Sequence, residues 1–423
     1  MRFRIAFTLL IMITLTGCGP MQTSASRVSL IDKARIDAAL KDYTDKGAPP
    51  GVSALIYENG KEAYFGAFGM ADREANRPMV RDTLAQIYSM TKPITGVALM
   101  MLYEEGKFSL DDPLAKHAPE FADLKVFNGL DENNEPILTA THRPVKIRDI
   151  TRHTGGFTDR DNESRVGERY RELDPTHREN TLSEMAQKLG QIPLLYQPGT
   201  RWLYGPSVDI QAFLVERLSG MPFDQFLQAR VFKPLGMHDT RYVVSSPEDR
   251  ERLAAVYELN DDGTMRRADD ETAFGFNTHD WPLKPGGFGL VSTLDDYMRF
   301  ARMLLNEGEL DGVRLLKPET VRLMAGDAMP EAVTDKSWLP VKGQVGFGIN
   351  FAVRIAPPAG PDEPSGAVGE FFWDGKANTL FWVDPKNNIA AVLFTQYFPP
   401  GDLPLHKAFR DAVYYADDQA YAR

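Results

Sequence analysis

The order of strand-like and helical segments along the 423-residue chain limits its possible folds more than any other feature. Residues 51–57 and 63–68 are predicted strands near the N-terminus, and an Asn-Gly pair between them is a strong hairpin signal. Residues 379–384 and 389–398 are predicted strands near the C-terminus, again joined by a short turn. Because short turns join antiparallel strands, we expect one antiparallel sheet built from both ends of the chain.

Helical periodicity dominates the middle of the chain, between the two groups of strands. We therefore expect an α/β (α+β) fold in one domain over residues 29–423, with N- and C-terminal helices flanking the sheet. An α/β lobe would comprise about residues 29–88 and 290–423, and a mainly helical lobe about residues 89–289. The remaining predicted elements are helices at 31–43, 92–105, 181–189, 207–219, 223–231, 295–306 and 405–415, and strands at 346–354 and 370–373.

The composition of the chain narrows the classes of protein to which it can belong. Acidic side chains outnumber basic ones by 59 to 48, whereas a nucleic-acid binder normally has a basic surplus. The seven histidines form no His-Glu-x-x-His pattern, and a single cysteine excludes a cysteine-rich zinc site. We therefore expect no nucleic-acid partner, no metal and no cofactor.

The first 28 residues have the layout of an export signal followed by a tether. Two arginines precede an apolar stretch, residues 5–15, that is too short to span a bilayer, which takes about 20 residues. The single cysteine, Cys18, follows in Leu-Thr-Gly-Cys, which resembles the lipobox of bacterial lipoproteins. This resemblance implies a signal peptide over 1–17, lipidation of Cys18 and a tether over 18–28. The glycine after the cysteine implies the outer membrane, so we expect an exported, lipid-anchored protein that faces the periplasm.

Ser89 and Lys92, in the segment Tyr-Ser-Met-Thr-Lys, are the first candidates for catalysis. Residues three apart lie on one face of a helix, so the hydroxyl and the amine can meet. A serine hydroxyl is a poor nucleophile unless a neighbouring base takes its proton, and an uncharged lysine amine can be that base. Because Ser-x-x-Lys also occurs by chance, the pattern taken alone fits a helix N-cap at Ser89 better than an active site.

Two later segments change that interpretation. Residues 197–207 read Gln-Pro-Gly-Thr-Arg-Trp-Leu-Tyr-Gly-Pro-Ser, and residues 372–376 read Phe-Trp-Asp-Gly-Lys. With the Ser-x-x-Lys segment, in this order and at these separations, they resemble the serine β-lactamase and penicillin-recognising enzyme superfamily. The resemblance is greatest to the class C β-lactamase-like branch, which includes carboxylesterases, and it extends over about residues 31–400. Further matching stretches are 110–114, 147–156, 234–237 and 286–293.

The resemblance implies a β-lactamase/transpeptidase-like fold and a role for each matching residue. Ser89 resembles the nucleophile that is acylated, and Lys92 resembles the base that activates it. Tyr204 resembles the residue that passes protons to the leaving group or to water. The backbone N–H groups of Ser89 and Lys376 resemble an oxyanion hole, which stabilises the tetrahedral intermediate. Whether Lys92 or Tyr204 is the dominant base stays open.

Two departures from the β-lactamase pattern favour an esterase. After the tyrosine the chain has Gly-Pro where β-lactamases usually have Ser-Asn, so an amide side chain that holds the β-lactam is absent. Trp373, Asp374 and Gly375 replace Lys-Thr-Gly, and we expect them to line the substrate cleft as in the related esterases. We hypothesise that the side chain of Lys376 restores part of the lost positive charge; a solvated surface lysine is the alternative.

Three functions are compatible with the sequence. The first is a serine hydrolase that acts through an acyl-enzyme on a small-molecule ester or amide, with an esterase favoured by the two departures. The second is a D-amino acid peptidase or a weak β-lactamase acting on cell-wall-type substrates. The third is a non-catalytic binding module, which the intact serine, lysine and tyrosine argue against. The physiological acyl group and the oligomeric state stay open.

Overall fold

The main sheet of the protein combines strands from both ends of the chain. The computed structural model describes residues 29–414. Its strands are β1 Gly51–Glu58, β2 Lys61–Asp72, β3 Arg77–Pro78, β4 Ala85–Gln86, β5 Lys125–Leu130, β6 Pro136–Ala140, β7 Tyr257–Leu259, β8 Met265–Arg267, β9 Val291–Ser292, β10 Glu309–Leu310, β11 Val313–Arg314, β12 Val345–Phe347, β13 Ala352–Arg354, β14 Phe371–Asp374, β15 Leu380–Asp384, β16 Ile389–Phe394 and β17 Tyr397–Phe398. The order in the main sheet is β12-β13-β14-β15-β16-β1-β2-β3, and each neighbouring pair is antiparallel. The predicted antiparallel sheet is therefore confirmed.

Helices cover both faces of this sheet. The helices are α1 Lys33–Asp45, α2 Thr91–Glu104, α3 Leu114–His117, α4 Ile147–Thr151, α5 Arg165–Leu173, α6 Leu182–Leu189, α7 Ser207–Ser219, α8 Phe223–Leu227, α9 Lys233–Leu235, α10 Pro247–Arg252, α11 Asp270–Phe274, α12 Leu294–Leu305, α13 Pro318–Met324 and α14 Leu405–Tyr414. In β15, the Phe381 ring lies 5.0 Å from Tyr297 of α12, whereas the neighbouring Trp382 ring lies 5.2 Å from Phe409 of α14. Successive side chains of a strand point to opposite faces, so α12 and α14 lie on opposite faces of the sheet. The N-terminal helix α1 packs beside α14 and against β2, so the N- and C-terminal helices flank the sheet, as predicted.

The face that α12 covers also carries the start of α2. Tyr297 of α12 donates a 2.8 Å hydrogen bond from its hydroxyl to the backbone oxygen of Met90, immediately before α2. Every residue of α2 from 91 to 102 is buried, and α7 packs along it. An apolar helix surrounded by other elements is a core helix, so α2 forms the centre of the molecule.

Two predicted strands are broken in the structure. Residues 346–354 form the short strands β12 and β13, joined by a turn in which Asn350 has a φ of +60°. The Asn350 side chain donates to the backbone oxygen of Lys92 (3.1 Å), so the turn reaches into the helices. The last predicted strand ends at Phe394, and β17 leaves the main sheet to pair in parallel with β7. In both places the apolar sequence pattern predicts one continuous strand, but hydrogen bonds to distant residues interrupt it.

The predicted helical lobe, residues 89–289, also contains strands. Strands β5 and β6 form one hairpin, and β7 and β8 form another. Within residues 29–414, no helix is long and apolar enough to cross a membrane. Cys18, the predicted signal peptide and the predicted tether lie outside the described residues. The lipid anchor therefore stays a prediction.

A buried ion-pair network anchors the beginning of β14. Arg354 Nε and Arg410 Nη1 each donate to Glu370 Oε1 at 2.8 Å, and each of the three side chains is at most 3% exposed. Arg354 belongs to β13, Arg410 belongs to α14, and Glu370 directly precedes β14. The network therefore ties two strands to the helix on the outer face of the sheet.

Replacing Glu370 with alanine should lower the free energy of unfolding by about 3–5 kcal/mol, because two buried guanidinium groups would lose their counter-charge. Urea unfolding would measure the change. The control is Glu307→Ala, which removes a pair with Arg322 in which both side chains are about half exposed, and it should cost about 1 kcal/mol or less. Equal small losses in the two variants would contradict the structural role of the network.

Candidate active site

Ser89 and Lys92 meet at the start of α2. Ser89 lies in a single 3₁₀ turn, Tyr88–Met90, directly ahead of α2. Lys92 Nζ lies 3.1 Å from Ser89 Oγ and donates a 2.6 Å hydrogen bond to the backbone oxygen of Gly287. The Lys92 side chain is buried. Met90, and not Ser89, is the N-cap of α2, so the Ser89 hydroxyl is free of a capping role and faces the amine.

The residue before Ser89 has a strained backbone. Tyr88 has a φ of +44°, in the left-handed region that a bulky residue seldom adopts. Its hydroxyl donates to Gln86 Oε1 at 2.6 Å, and its ring packs edge-on against Phe398 at 5.5 Å. Such strain persists where the surrounding contacts enforce it. These contacts therefore fix the direction in which the chain enters the 3₁₀ turn and presents Ser89.

A buried carboxylate holds the loop that contacts Lys92. The backbone N–H of Gly287 donates to Asp209 Oδ1 at 2.8 Å, while the backbone oxygen of the same residue accepts from Lys92. Burial raises the pKa of Asp209, and the nearby Lys92 acts in the opposite direction. A Cβ atom at Gly286 would lie 2.4 Å from the Val208 oxygen, so this close approach requires glycine. The segment 286–289, the glycine loop, thus supports Lys92.

Tyr204 lies beside the same amine. The centroid of its ring is 4.6 Å from Lys92 Nζ, and its hydroxyl accepts a 3.4 Å hydrogen bond from Trp373 Nε1. Tyr204 comes just before α7, and Ser89 just before α2, so the packing of these two helices brings the residues together. Ser89, Lys92, Tyr204 and Trp373 therefore form one site.

The neutral imidazole of His153 packs against the ring of Tyr204. The ring of His153 lies 4.8 Å from the Tyr204 ring and 5.5 Å from the Phe347 ring. Neither ring nitrogen of this buried residue has a hydrogen-bond partner among the residues that the structure describes. Burial lowers the pKa of His153 well below its usual range, and the positive charge of Lys92 adds to this effect. The imidazole therefore acts as an aromatic packing element, which agrees with a structural role.

Three tryptophans complete an aromatic wall around Tyr204. Trp202 is buried and stacks on Tyr204 with ring centroids 6.0 Å apart. Trp373 pairs with Phe381 across β14 and β15, so both side chains point to the face that α12 covers. Trp338 comes from a distant part of the chain, and its ring is 5.2 Å from the Tyr204 ring. Because no local pattern around Trp338 indicates this contact, sequence reasoning missed it.

The turn that follows Trp373 is pressed against the segment that leads to Ser89. A Cβ atom at Gly375 would lie 2.5 Å from the backbone oxygen of Ile87, so glycine is required here. The turn that contains Lys376 therefore lies beside the segment that leads to Ser89. The pairing of the Lys376 N–H with that of Ser89 in an oxyanion hole stays a prediction.

The side chain of Lys376 does not occupy the place of the missing lysine. Its Nζ atom lies over the Phe398 ring at 5.5 Å, and the residue is exposed. Lys342 instead pairs with Asp374, and its Nζ atom lies 5.0 Å from the Trp373 ring. The alternative of a largely solvated Lys376 therefore fits the geometry better. Sequence reasoning missed Lys342 because it lies far from Asp374 along the chain.

Metal binding finds no support in the arrangement of side chains. Across residues 29–414, no three histidine, cysteine, aspartate or glutamate side chains are grouped so that they could hold a metal ion. His153, the histidine at the site, is surrounded by aromatic rings. The functional groups that meet at the site are a hydroxyl, an amine and a phenol.

Acidification should destabilise the protein partly through His153. The folded protein keeps this imidazole neutral, whereas the unfolded chain takes up a proton below its ordinary pKa of about 6.5. The free energy of unfolding should therefore fall as the pH drops below about 6.5, by at most about 1.4 kcal/mol per pH unit from this group. His153→Phe keeps a ring and should lose less stability between pH 7 and pH 5. Residue 153 has a positive φ, and the strain that this causes in either protein does not depend on pH. If the free energies of unfolding of the natural chain and the variant fell in parallel with pH, the prediction would be contradicted.

Comparison with known proteins relates both the sequence and the fold to an established family. The family model described as Beta-lactamase matches residues 36–415. Protein Rv1367c of Mycobacterium tuberculosis is 35% identical over 369 residues, which cover 86% of this chain and 89% of that protein. Esterase EstB of Burkholderia gladioli is 30% identical over 424 residues, which cover 95% of this chain and 99% of EstB.

The solved structure of EstCE1 extends this likeness to the fold. EstCE1, described as a hydrolase with promiscuous acyltransferase activity, has a TM-score of 0.73 and 26% identity, and the match covers 90% of this chain and 98% of EstCE1. Together with the Beta-lactamase family model, this similarity confirms the predicted β-lactamase-like fold. Since the family model also spans most of the sequence, the chain belongs to the beta-lactamase family.

Proposed function

We propose that the chain is a serine hydrolase of the carboxylesterase type that forms an acyl-enzyme on Ser89. The observation that carries this proposal is the 3.1 Å separation between Ser89 Oγ and Lys92 Nζ, with Tyr204 beside the same amine. Two similar proteins, EstB and EstCE1, are described as an esterase and as a hydrolase. A small-molecule ester is the substrate class that these observations favour.

The first half of the reaction acylates the serine. In the reactive form of the site the Lys92 amine has released its proton, and it accepts the hydroxyl proton while Ser89 Oγ forms a bond to the ester carbonyl carbon. The carbonyl oxygen becomes an oxyanion, and the N–H groups of Ser89 and Lys376 donate to it. When the C–O bond of the ester breaks, Tyr204 gives a proton to the departing alcohol oxygen and regains one from Lys92.

The second half releases the acid. A water molecule gives a proton to the Tyr204–Lys92 pair and attacks the carbonyl carbon of the acyl-enzyme. The second tetrahedral intermediate collapses, the bond to Ser89 Oγ breaks, and the serine takes back a proton. The products are one alcohol and one carboxylic acid, and the side chains return to their initial state.

Esters fit the site better than β-lactams or peptides with a free carboxylate. The lysine that holds such a carboxylate in β-lactamases is replaced by Trp373, whose ring belongs to the aromatic wall. Lys342 approaches the Trp373 ring, but its charge is paired with Asp374. A neutral, apolar substrate avoids the cost of leaving a carboxylate without a partner beside these rings.

Replacing Ser89 with alanine should lower kcat/KM for p-nitrophenyl acetate by about 1,000-fold or more, because the nucleophile is lost. Release of p-nitrophenol gives the rate, and mass spectrometry of the natural chain should reveal a protein heavier by one acetyl group. Ser245→Ala, at an exposed serine outside the site, is the matched control and should keep full activity. Full ester cleavage by the Ser89 variant would overturn the proposal.

Hydrolysis of a chromogenic cephalosporin, measured in parallel with ester cleavage, distinguishes an esterase from the β-lactamase alternative. We expect a far higher kcat/KM for the ester, since Trp373 and Pro206 replace residues that hold a β-lactam. A higher value for the cephalosporin would favour the alternative function.

We also propose that the protein is exported, lipidated at Cys18 and held at the outer membrane facing the periplasm. The basic and apolar segments before Cys18 support export, and the Leu-Thr-Gly-Cys sequence supports lipidation. Two or more acyl chains give stable membrane anchoring, because each buried CH₂ contributes about 0.8 kcal/mol.

Replacing Cys18 with serine should move the protein from the membrane fraction to the soluble fraction of bacterial cells. Fractionation followed by immunoblotting would reveal the change, and ester cleavage should persist because the catalytic residues are untouched. A Cys18 variant that stays with the membrane as fully as the natural chain would disprove lipidation as the anchor.

A further inference from the structure

Trp338 is an exposed aromatic residue that borders the candidate catalytic residues. Its side chain is 41% exposed, although its ring lies 5.2 Å from both Trp202 and Tyr204. The Trp373 ring is 6.1 Å away. One edge of the indole therefore packs on the aromatic wall while much of its surface is available to a ligand.

The segment that carries Trp338 is held in place on both sides. Before it, the backbone oxygen of Asp335 accepts a 3.0 Å hydrogen bond from the N–H of Trp202, and the Asp335 carboxylate pairs with Arg201 at 2.8 Å. After it, Leu339 is fully buried and Lys342 pairs with Asp374. An exposed tryptophan on an anchored segment offers a rigid apolar surface at little cost in conformational entropy.

The position of Trp338 relative to Tyr204 indicates which part of a substrate it would contact. In the proposed reaction, Tyr204 gives a proton to the departing alcohol oxygen, so groups packed around its ring border the alcohol half of the ester. Trp338 and Trp373 form an aromatic face, beside which the Asp374-paired amine of Lys342 lies 5.3 and 5.0 Å from the two ring centroids. Aromatic rings associate favourably with other rings and with flat apolar groups.

We propose that Trp338 is a specificity-determining residue that binds the alcohol half of the substrate, and that the protein prefers esters of aromatic or bulky apolar alcohols. This inference rests on the proposed esterase function and adds the class of leaving group. The acyl half would lie on the other side of Ser89, away from Tyr204. Trp338 would therefore influence acylation and not the hydrolysis of the acyl-enzyme.

Two acetate esters with different alcohols test this assignment. 2-Naphthyl acetate and ethyl acetate form the same acetyl-enzyme, so a selective change in kcat/KM must arise on the alcohol side. Trp338→Ala should lower kcat/KM for 2-naphthyl acetate about 10-fold while changing the value for ethyl acetate less than about 2-fold. Trp338→Phe should retain most of the selectivity, because a ring remains.

The matched control is Val341→Ala in the same segment, at a side chain that is 82% exposed, and it should leave both values unchanged. Continued cleavage of ethyl acetate shows that the Trp338 variant is folded. Equal losses of kcat/KM on the two esters, or no loss on either, would overturn the role proposed for Trp338 and leave the esterase function standing. Failure of the natural chain to cleave both esters, or cleavage that survives Ser89→Ala, would overturn the esterase function itself.

Discussion

Lys92 lies inside the protein, where its amine needs polar partners that water would otherwise supply. Removing a charged or polar group from water is costly unless hydrogen bonds replace the lost hydration. Ser89 Oγ and the backbone oxygen of Gly287 are those partners. The Gly287 N–H is held in turn by the buried carboxylate of Asp209, and Asn350 binds the backbone oxygen of Lys92. Helices α2 and α7, the glycine loop and the β12–β13 turn thus converge on one side chain.

The aromatic side chains around Tyr204 determine which substrates the site favours. In β-lactamases a lysine from the third motif faces the substrate, whereas here Trp373 stands at that position and contacts Tyr204. The neutral imidazole of His153 also packs against the Tyr204 ring. The charge of Lys342 is paired with Asp374 beside the Trp373 ring. Such a surface favours apolar ester groups over carboxylates, because little in it would compensate a buried negative charge.

Sequence patterns located most of the regular structure but not every interruption. The Asn-Gly hairpin and the apolar alternation near both termini indicated strands that do pair in the main sheet. The segment 346–354 has the apolar pattern of one strand, yet Asn350 turns the chain so that its side chain can bind Lys92 and Gln211. The strand predicted to end at residue 398 stops at Phe394, because its last residues pair with β7 instead. Both exceptions depend on distant partners.

Spacing along the chain allows Ser89 and Lys92 to meet, and the two later motifs make the pair a prediction. The two residues are three apart, so covalent geometry and helical pitch bring their side chains to one face, and the pair could be predicted without knowledge of the fold. The contacts that complete the site could not: Asp209 holds the glycine loop, Lys342 rather than Lys376 approaches Trp373, and Trp338 borders Tyr204. These contacts join segments that are far apart in the sequence. They form only when the sheet and helices pack together, and local propensity carries no information about that packing.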